Sequence, residues 1–261
     1  VGGPVRDAIL GRLGNDLDFT TDAKPAQTKK ILESWADSVW EIGAEFGTIA
    51  ARKGEIEVEI TTYRSESYDP DSRKPDVQFG ESIEADLKRR DFTINAMALE
   101  LTTEPPTFID LFNGITDLQN KVIKTPGKPE DSFSDDPLRM MRAIRFATQL
   151  NFTIHPETFA AITENAGRIN IVSKERIADE LNKIIMSDKP SIGFDLLYKS
   201  GVLKLIFPQM VELAGAEYID GMGHKDNFYH TLQVLDNIAK HTGDLWWRWA
   251  AILHDIAKPQ T

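Results

Sequence analysis

Apolar and polar positions change their period once along this chain. From Val1 to about Lys124, short β-branched runs are mixed with helical patterns. Ile56, Val58 and Ile60 alternate with Glu55, Glu57 and Glu59, the period of two of a half-buried strand over residues 55–63. Its acidic face points away from the core. Residues 16–20 read as another strand and residues 6–13 as a helix. Residues 68–79 (YDPDSRKPDVQF) are polar and proline-containing, lack apolar periodicity, and read as a mobile loop. Residues 127–134 mix Gly, Pro and charge and read as a linker. Beyond it, apolar residues recur at spacings of three and four, predicting helices over 137–150, 156–166, 174–186, 191–200 and 227–241. The fold class expected is α+β, with a mixed sheet and helices first and an all-α part after the linker.

Composition narrows the class. The chain has 261 residues, 41% of them hydrophobic, enough for about two domains with real cores. No apolar run reaches the roughly 18 residues of a membrane span, and a cytoplasmic enzyme fits best. With no cysteine, disulfides and thiolate metal sites are ruled out, so carboxylates or the 5 histidines must hold any metal. A net charge of -11 argues against a uniformly basic coat for phosphates, but arginines cluster locally at Arg89, Arg90 and at Arg139, Arg142, Arg145. The chain opens on Val1 rather than Met and reads as one that has lost its natural N-terminus.

Candidate chemistry begins at once, with Gly2-Gly3-Pro4-Val5-Arg6-Asp7 followed by Asn15-Asp16-Leu17-Asp18. Adjacent glycines let backbone approach a bulky anion, and a following helix offers free N–H groups, which together describe a triphosphate cradle. Asp16 and Asp18 are two apart on a strand, so both carboxylates leave the same face. Such a pair can bind two divalent cations roughly 3.5–4 Å apart, which would activate a 3′ hydroxyl and neutralise a pyrophosphate leaving group. A lone Gly-Gly is a turn and a lone Asp-x-Asp a strand edge; their order and spacing join them. Further on, Asp91 and Asn95 are four apart and share a helical face suited to ribose or phosphate, while Arg89 and Arg90 can fork onto phosphate oxygens. Asp136 before Pro137 is a favoured helix N-cap, and Asp136 and Arg139, one turn apart, can also reach the Watson–Crick edge of one base.

These motifs, over nearly the whole chain, resemble the polymerase-β-type nucleotidyltransferase superfamily in its class II branch of CCA-adding enzymes and bacterial poly(A) polymerases. The resemblance implies a catalytic palm carrying Gly2, Gly3, Arg6, Asp7, Asp16 and Asp18, with Glu59 in Glu-Ile-Thr-Thr-Tyr-Arg as the third carboxylate and Mg2+ as the cation. The bland alternative for Glu59 is one more exposed glutamate beside Glu55 and Glu57. Residues 89–96 match the family's RRDFTINA motif, and Asp135-Asp136-Pro137-Leu138-Arg139 its EDxxR-like template that chooses CTP and ATP, with Asp135 where glutamate is usual. Arg142 and Arg145, on the same helix, join the nucleotide-binding set, and Glu175-Arg176 resembles a motif that braces the neck. Glu45-Phe46-Gly47-Thr48-Ile49 is similar to the CCA-adding branch.

His230 and the His254-Asp255 dyad look like the start of an HD domain, whose ligands suit a second divalent cation; His224 is a further candidate. The domains expected are a palm over 1–126, a helical neck and body over 127–220 and the start of an HD domain over 221–261. The function implied is addition of C, C and A to a tRNA 3′ end from CTP and ATP, with poly(A) synthesis as the nearest alternative. Two rivals are an HD phosphohydrolase with a nucleotide-sensing palm and a non-catalytic RNA binder. The second does not need an acidic metal pair beside a phosphate groove.

Overall fold

The computed structural model describes residues 1–261 apart from 43–46, 69–74, 81, 216–217, 220–221, 224–225 and 261. The chain divides into two compact units, 1–120 with 124–128, and 121–123 with 129–261. The first unit is built on a four-stranded mixed sheet. Helix α1 (Gly3–Ile9) leads into β1 (Asp16–Thr21), α2 (Pro25–Glu33), β2 (Ser38–Ile42), β3 (Thr48–Lys53) and β4 (Ile56–Thr62). The strand order is β1-β4-β3-β2; β1 and β4 are parallel and the other pairs antiparallel.

Register decides which face each side chain takes. Leu17 pairs with Val58 and Phe19 with Ile60, and these residues pack with Ile49, Ala51, Val39 and Leu32 of α2 in one apolar cluster. Asp16 pairs with Glu57 and Asp18 with Glu59, so the carboxylates leave the opposite face. The alternation read from residues 55–63 is therefore the alternation of the sheet.

Of the loop expected over 68–79, residues 69–74 lie outside the described residues, while Tyr68 and residues 75–79 are in strands. Strand β5 (Arg64–Tyr68) pairs antiparallel with β6 (Pro75–Phe79), from Arg64 opposite Phe79 to Tyr68 opposite Pro75. A two-stranded ladder is held by backbone hydrogen bonds and needs no apolar alternation, and the proline sits at the first position of its strand, where a donor can be spared. After the hairpin come α3 (Ile83–Lys88), a 3-10 turn over Thr93–Asn95, the antiparallel pair β7 (Met97–Glu100) and β8 (Thr107–Asp110), and α4 (Gly114–Gln119). Leu87, Phe92, Ile94, Ala96 and Met97 are fully buried here.

The second unit is helical. The short strand β9 (Val122–Ile123) pairs with β10 (Thr153–Ile154). The expected linker over 127–134 instead contains α5 (Pro129–Asp135), because Phe133 gives it a fully buried anchor. Then follow α6 (Leu138–Leu150), α7 (Pro156–Asn165), α8 (Lys174–Ile185), α9 (Pro190–Lys199), α10 (Val202–Ile206), α11 (Pro208–Glu212), α12 (Asn227–Ala239) and α13 (Leu245–Leu253). Helix α6 packs on α8 and α9, and α12 on α9 and α13. A Cβ at Gly193 would overlap Ile184 Cγ2 and come within 2.7 Å of Thr148 Oγ1, so glycine is what allows α9 this close to α8 and α6. No helix among the described residues is long and apolar enough to cross a membrane.

Candidate active site

Asp18 is the centre of the site in the first unit. On β1 it faces the same side as Asp16, and its register partner on the parallel neighbour β4 is Glu59. Burial pushes the Asp18 carboxyl above its ordinary range, helped by the charge of Asp16 and opposed by the Val1 ammonium and Arg90. Glu59 is also raised, by burial first and then by Asp18, Glu57 and Asp16. Oxygen ligands clustered in this way suit a hard divalent cation.

The row of glutamates on β4 separates by partner. Glu57 is paired with Arg52 across the β3–β4 ladder at 2.6 Å, whereas Glu59 stands opposite Asp18 and faces Ala50 on β3. Cross-strand pairing thus distinguishes Glu59 from Glu57.

Backbone brings the glycine turn beside the arginine motif. Gly2 N donates to the Met97 carbonyl at 3.0 Å, and Gly2 adopts φ 68, a left-handed conformation that glycine tolerates without cost. A Cβ there would come within 2.5 Å of Arg90 Nη1. The guanidinium of Arg90 therefore rests on the turn, within electrostatic reach of Asp18. Gly3 opens α1, and a Cβ on it would lie 3.7 Å from Arg6 Nη2.

Arg6, Asp91 and Asn95 do come together, but as a buried brace. Arg6 Nη1 donates to Asn95 Oδ1 at 2.6 Å, Asn95 Nδ2 donates to Asp91 Oδ1 at 3.0 Å, and Arg6 forks onto Asp7 at 2.9 and 2.8 Å. All three side chains of the brace are buried. Asp91 and Asn95 do not share an α-helical face: Thr93 N donates to the Lys124 carbonyl and Asn95 N to Phe92, so only a 3-10 turn forms. The four-residue spacing still joins them, through the side chains.

One residue of this cluster was absent from the motif reading. Asp86 on α3 is fully buried, with Oδ1 accepting from Arg89 at 3.1 and 2.8 Å and Oδ2 from Arg90 at 3.1 Å. Its signal was legible, since it precedes the arginines by three and four positions, the helical pairing distance.

In the second unit Asp136 is both a cap and a polar anchor. Its Oδ1 accepts from Leu138 N at 3.1 Å, and its Oδ2 from Arg176 of α8 at 3.1 Å. Arg139 Nη1 donates to Ser132 Oγ at 3.0 Å. Arg142 lies over the Phe146 ring. Arg145 is engaged differently from the nucleotide contact expected of it: it forms a buried ion pair with Glu180 at 2.6 Å, donates to Gln149 and stacks on Phe146 at 4.0 Å. The i+3 series on α6 rotates Arg145 toward α8 and into the packing.

His230, His254 and Asp255 form a third cluster, with one ligand atom from each within 4.8 Å of the others. His254 Nδ1 donates to the Ala251 carbonyl at 2.7 Å, which turns Nε2 toward Asp255 Oδ2 at 3.1 Å. Lys258, by a hydrogen bond, holds the Asp255 carboxyl below its usual range, with His254 and His230 adding to it. His230 Nδ1 is buried without a hydrogen-bond partner. His224 lies outside the described residues.

A mixed sheet with paired carboxylates opposite a third, beside a glycine turn and two arginines, defines a nucleotidyltransferase-type head. Family models agree along the chain: the poly A polymerase head domain matches residues 1–124, the probable RNA and SrmB-binding site of polymerase A residues 151–213, and the HD domain residues 227–261. The CCA-adding enzyme of Levilactobacillus brevis is 45% identical over 203 residues, covering 77% of this chain and 49% of that relative. That of Streptococcus suis is 45% identical over 189 residues, 72% of this chain and 45% of its own. The crystal structure of the Bacillus stearothermophilus CCA-adding enzyme in complex with CTP superposes with a TM-score of 0.74 at 31% identity, covering 98% of this chain and 57% of that one. A tRNA nucleotidyltransferase complexed with a primer tRNA and an incoming ATP analog gives 0.74 at 28% identity, covering 98% and 71%. This chain belongs to the family of class II CCA-adding enzymes and bacterial poly(A) polymerases. It spans about half the length of the curated relatives it matches.

Proposed function

We propose that this chain carries the nucleotidyl-transfer centre of a CCA-adding enzyme, which extends a tRNA 3′ end with C, C and A from CTP and ATP and releases pyrophosphate. The observation that carries the reading is the register of β1 and β4, which sets Glu59 opposite Asp18 on the face shared with Asp16. The relatives named as CCA-adding enzymes favour this branch over poly(A) synthesis. Residues 45–46 of the segment that resembled the CCA-adding branch lie outside the described residues.

In this reading Asp16, Asp18 and Glu59 hold Mg2+. The bound cations would neutralise charge on the triphosphate and on the pyrophosphate as it leaves. The residues of the chain do the rest. Arg89 and Arg90 present guanidinium donors to phosphate oxygens, and the Gly2-Gly3 backbone allows a phosphate to approach that side chains would block. Asp7, Asp91 and Asn95 hold Arg6 in place beneath the turn. Asp136 offers an acceptor and Arg139 a donor to the incoming base, with Arg176 fixing the carboxylate's orientation. The RNA 3′ hydroxyl then loses its proton to solvent as its oxygen bonds to the α-phosphorus, and the α-phosphorus bond to the bridging oxygen breaks, so that pyrophosphate leaves with that oxygen.

The test is incorporation of labelled CTP and ATP by the whole protein on a tRNA transcript lacking its 3′ CCA. Wild type should stop after C, C and A, and an Asp16→Ala, Asp18→Ala variant should be inactive. Long A tails would move the reading to a poly(A) polymerase, and incorporation by the double variant would remove the proposed metal site.

The His230, His254, Asp255 cluster favours a second cation site. His254 Nδ1 donates to the Ala251 carbonyl, which leaves Nε2 beside Asp255 Oδ2 at 3.1 Å, where the two could share one cation.

A further inference from the structure

We propose that Asp86 is a positioning residue for nucleotide binding: its buried carboxylate sets the guanidinium of Arg90, and with it that of Arg89, at the edge of the catalytic carboxylates. The proposal rests on the nucleotidyl-transfer reading above.

Three observations carry it. The Asp86 side chain is fully buried, while those of Arg89 and Arg90 each keep 19% exposure. A carboxylate removed from water in this way requires charged donors, and both of its oxygens have them. The two guanidiniums outnumber the carboxylate, so the cluster of these three side chains carries one net positive charge, and its exposed part belongs to the arginines.

The second observation is where Arg90 points. With Nη2 tied to Asp86, its Nη1 lies against Gly2, so close that any side chain there would displace it. Its Nε is buried and has no hydrogen-bond partner. A guanidinium anchored at one nitrogen and pressed on a glycine turn by another is set for an anion arriving over that turn. The third observation is its electrostatic contact with Asp18, which places this positive charge beside the proposed metal ligands. A triphosphate bridging the cations and the turn would meet Arg90 there.

Helix geometry explains why one carboxylate can serve two arginines. Asp86 on α3 sits three and four positions before Arg89 and Arg90, and the helix ends between them, with Arg89 as its C-cap. Both side chains can then fold back over the last turn onto the same acid. Without the acid, two adjacent cations would repel each other and sample many rotamers, and binding a nucleotide would have to order them.

The experiment uses Asp86→Asn in the whole protein, with KM and kcat measured for CTP and for the tRNA end, and with inorganic pyrophosphate as a product inhibitor that reads the phosphate contacts alone. The expected result is a KM for CTP raised about 10-fold, from loss of charge-assisted hydrogen bonds. Pyrophosphate inhibition should weaken by a similar factor, the KM for the tRNA end should stay within about twofold, and kcat should fall less than KM rises. Asp86→Glu should restore part of the CTP affinity. Equal changes in every constant, or none in a folded variant, would overturn the proposal. If Asp86→Asn melts below the assay temperature, Arg90→Gln must show the same selective loss, and a wild-type KM for CTP in that variant overturns it. Failure of the underlying reading is distinct: wild type would then incorporate nothing.

Discussion

At the residue scale the decisive pair is Asp18 and Glu59. Their carboxyl pKa values are raised by burial and by neighbouring negative charge, which means the ionised forms cost stability in the metal-free fold. The folded state holds these protons to higher pH than the unfolded chain does. Their contribution to stability is therefore present below the ordinary carboxylate values of 3.8 and 4.5 and is lost as pH rises through the raised values. Two outcomes are expected in thermal unfolding. At neutral pH, Asp18→Asn should raise the melting temperature of the metal-free protein, because it removes a buried, repelled charge. Mg2+ should raise the melting temperature of wild type at neutral pH but not as pH falls toward the carboxylate range, nor that of Asp18→Asn at any pH. A metal-free Asp18→Asn protein less stable than wild type would contradict this account.

Asp16, Asp18 and the glycines were legible as residues because their chemistry depends on local spacing: two along a strand, adjacent in a turn. The choice of Glu59 over Glu57 came from the family resemblance and not from spacing, and its physical basis is not local. It depends on which strand lies next to β1 and on Arg52 occupying Glu57, and both are facts of pairing rather than of the sequence around residue 59.

At the scale of elements, α6 combines proposed base contacts at its start with a packed core face. Arg139 lies in its first turn, which Asp136-Pro137 leads into, while Met140, Met141, Ala143, Ile144 and Ala147 are buried. Arg145 follows Arg142 by three positions, and this rotation brings it to Glu180 of α8. The pair is nearly dry, with side-chain exposures of 11% and 4%. Removing one partner of such a pair strands a buried charge, so Glu180→Gln should lower stability by about 3 kcal/mol in thermal or denaturant unfolding. A loss below about 0.5 kcal/mol would rank the pair with solvent-screened surface bridges. Periodicity identified α6 and α8 as helices, because an apolar stripe at three and four spacing is a local pattern. It did not tell an arginine aimed at solvent from one aimed at a neighbouring helix, which depends on the partner's position. The hairpin of β5 and β6 escaped for the opposite reason: backbone pairing leaves no apolar stripe to read.

At the scale of the molecule, the two proposed cation sites differ in chemistry and lie one in each unit. The carboxylates of the first are oxygen ligands for a hard cation, and the histidines of the second suit a first-row transition metal. Metal analysis of the whole protein should find a tightly bound transition ion lost in His254→Ala but retained in Asp18→Asn. Retention of that ion in His254→Ala would exclude the histidine cluster as its site.

By itself the sequence determined the local chemistry: helices with their apolar stripes, the acid pair on β1, the glycine turn, the arginine motif and the His-Asp dyad, all carried by residues within a few positions of one another. It also determined the family, since motifs of that kind survive in order along the chain. The tertiary structure alone decided which distant groups meet. Parallel pairing of β1 with β4 set Glu59 opposite Asp18, and folding of the arginine segment onto the glycine turn set Arg90 over Gly2. Packing of α8 on α6 gave Asp136 and Arg145 their partners. Contacts of this kind arise from register and burial between segments remote in sequence, and only the folded chain brings those segments together.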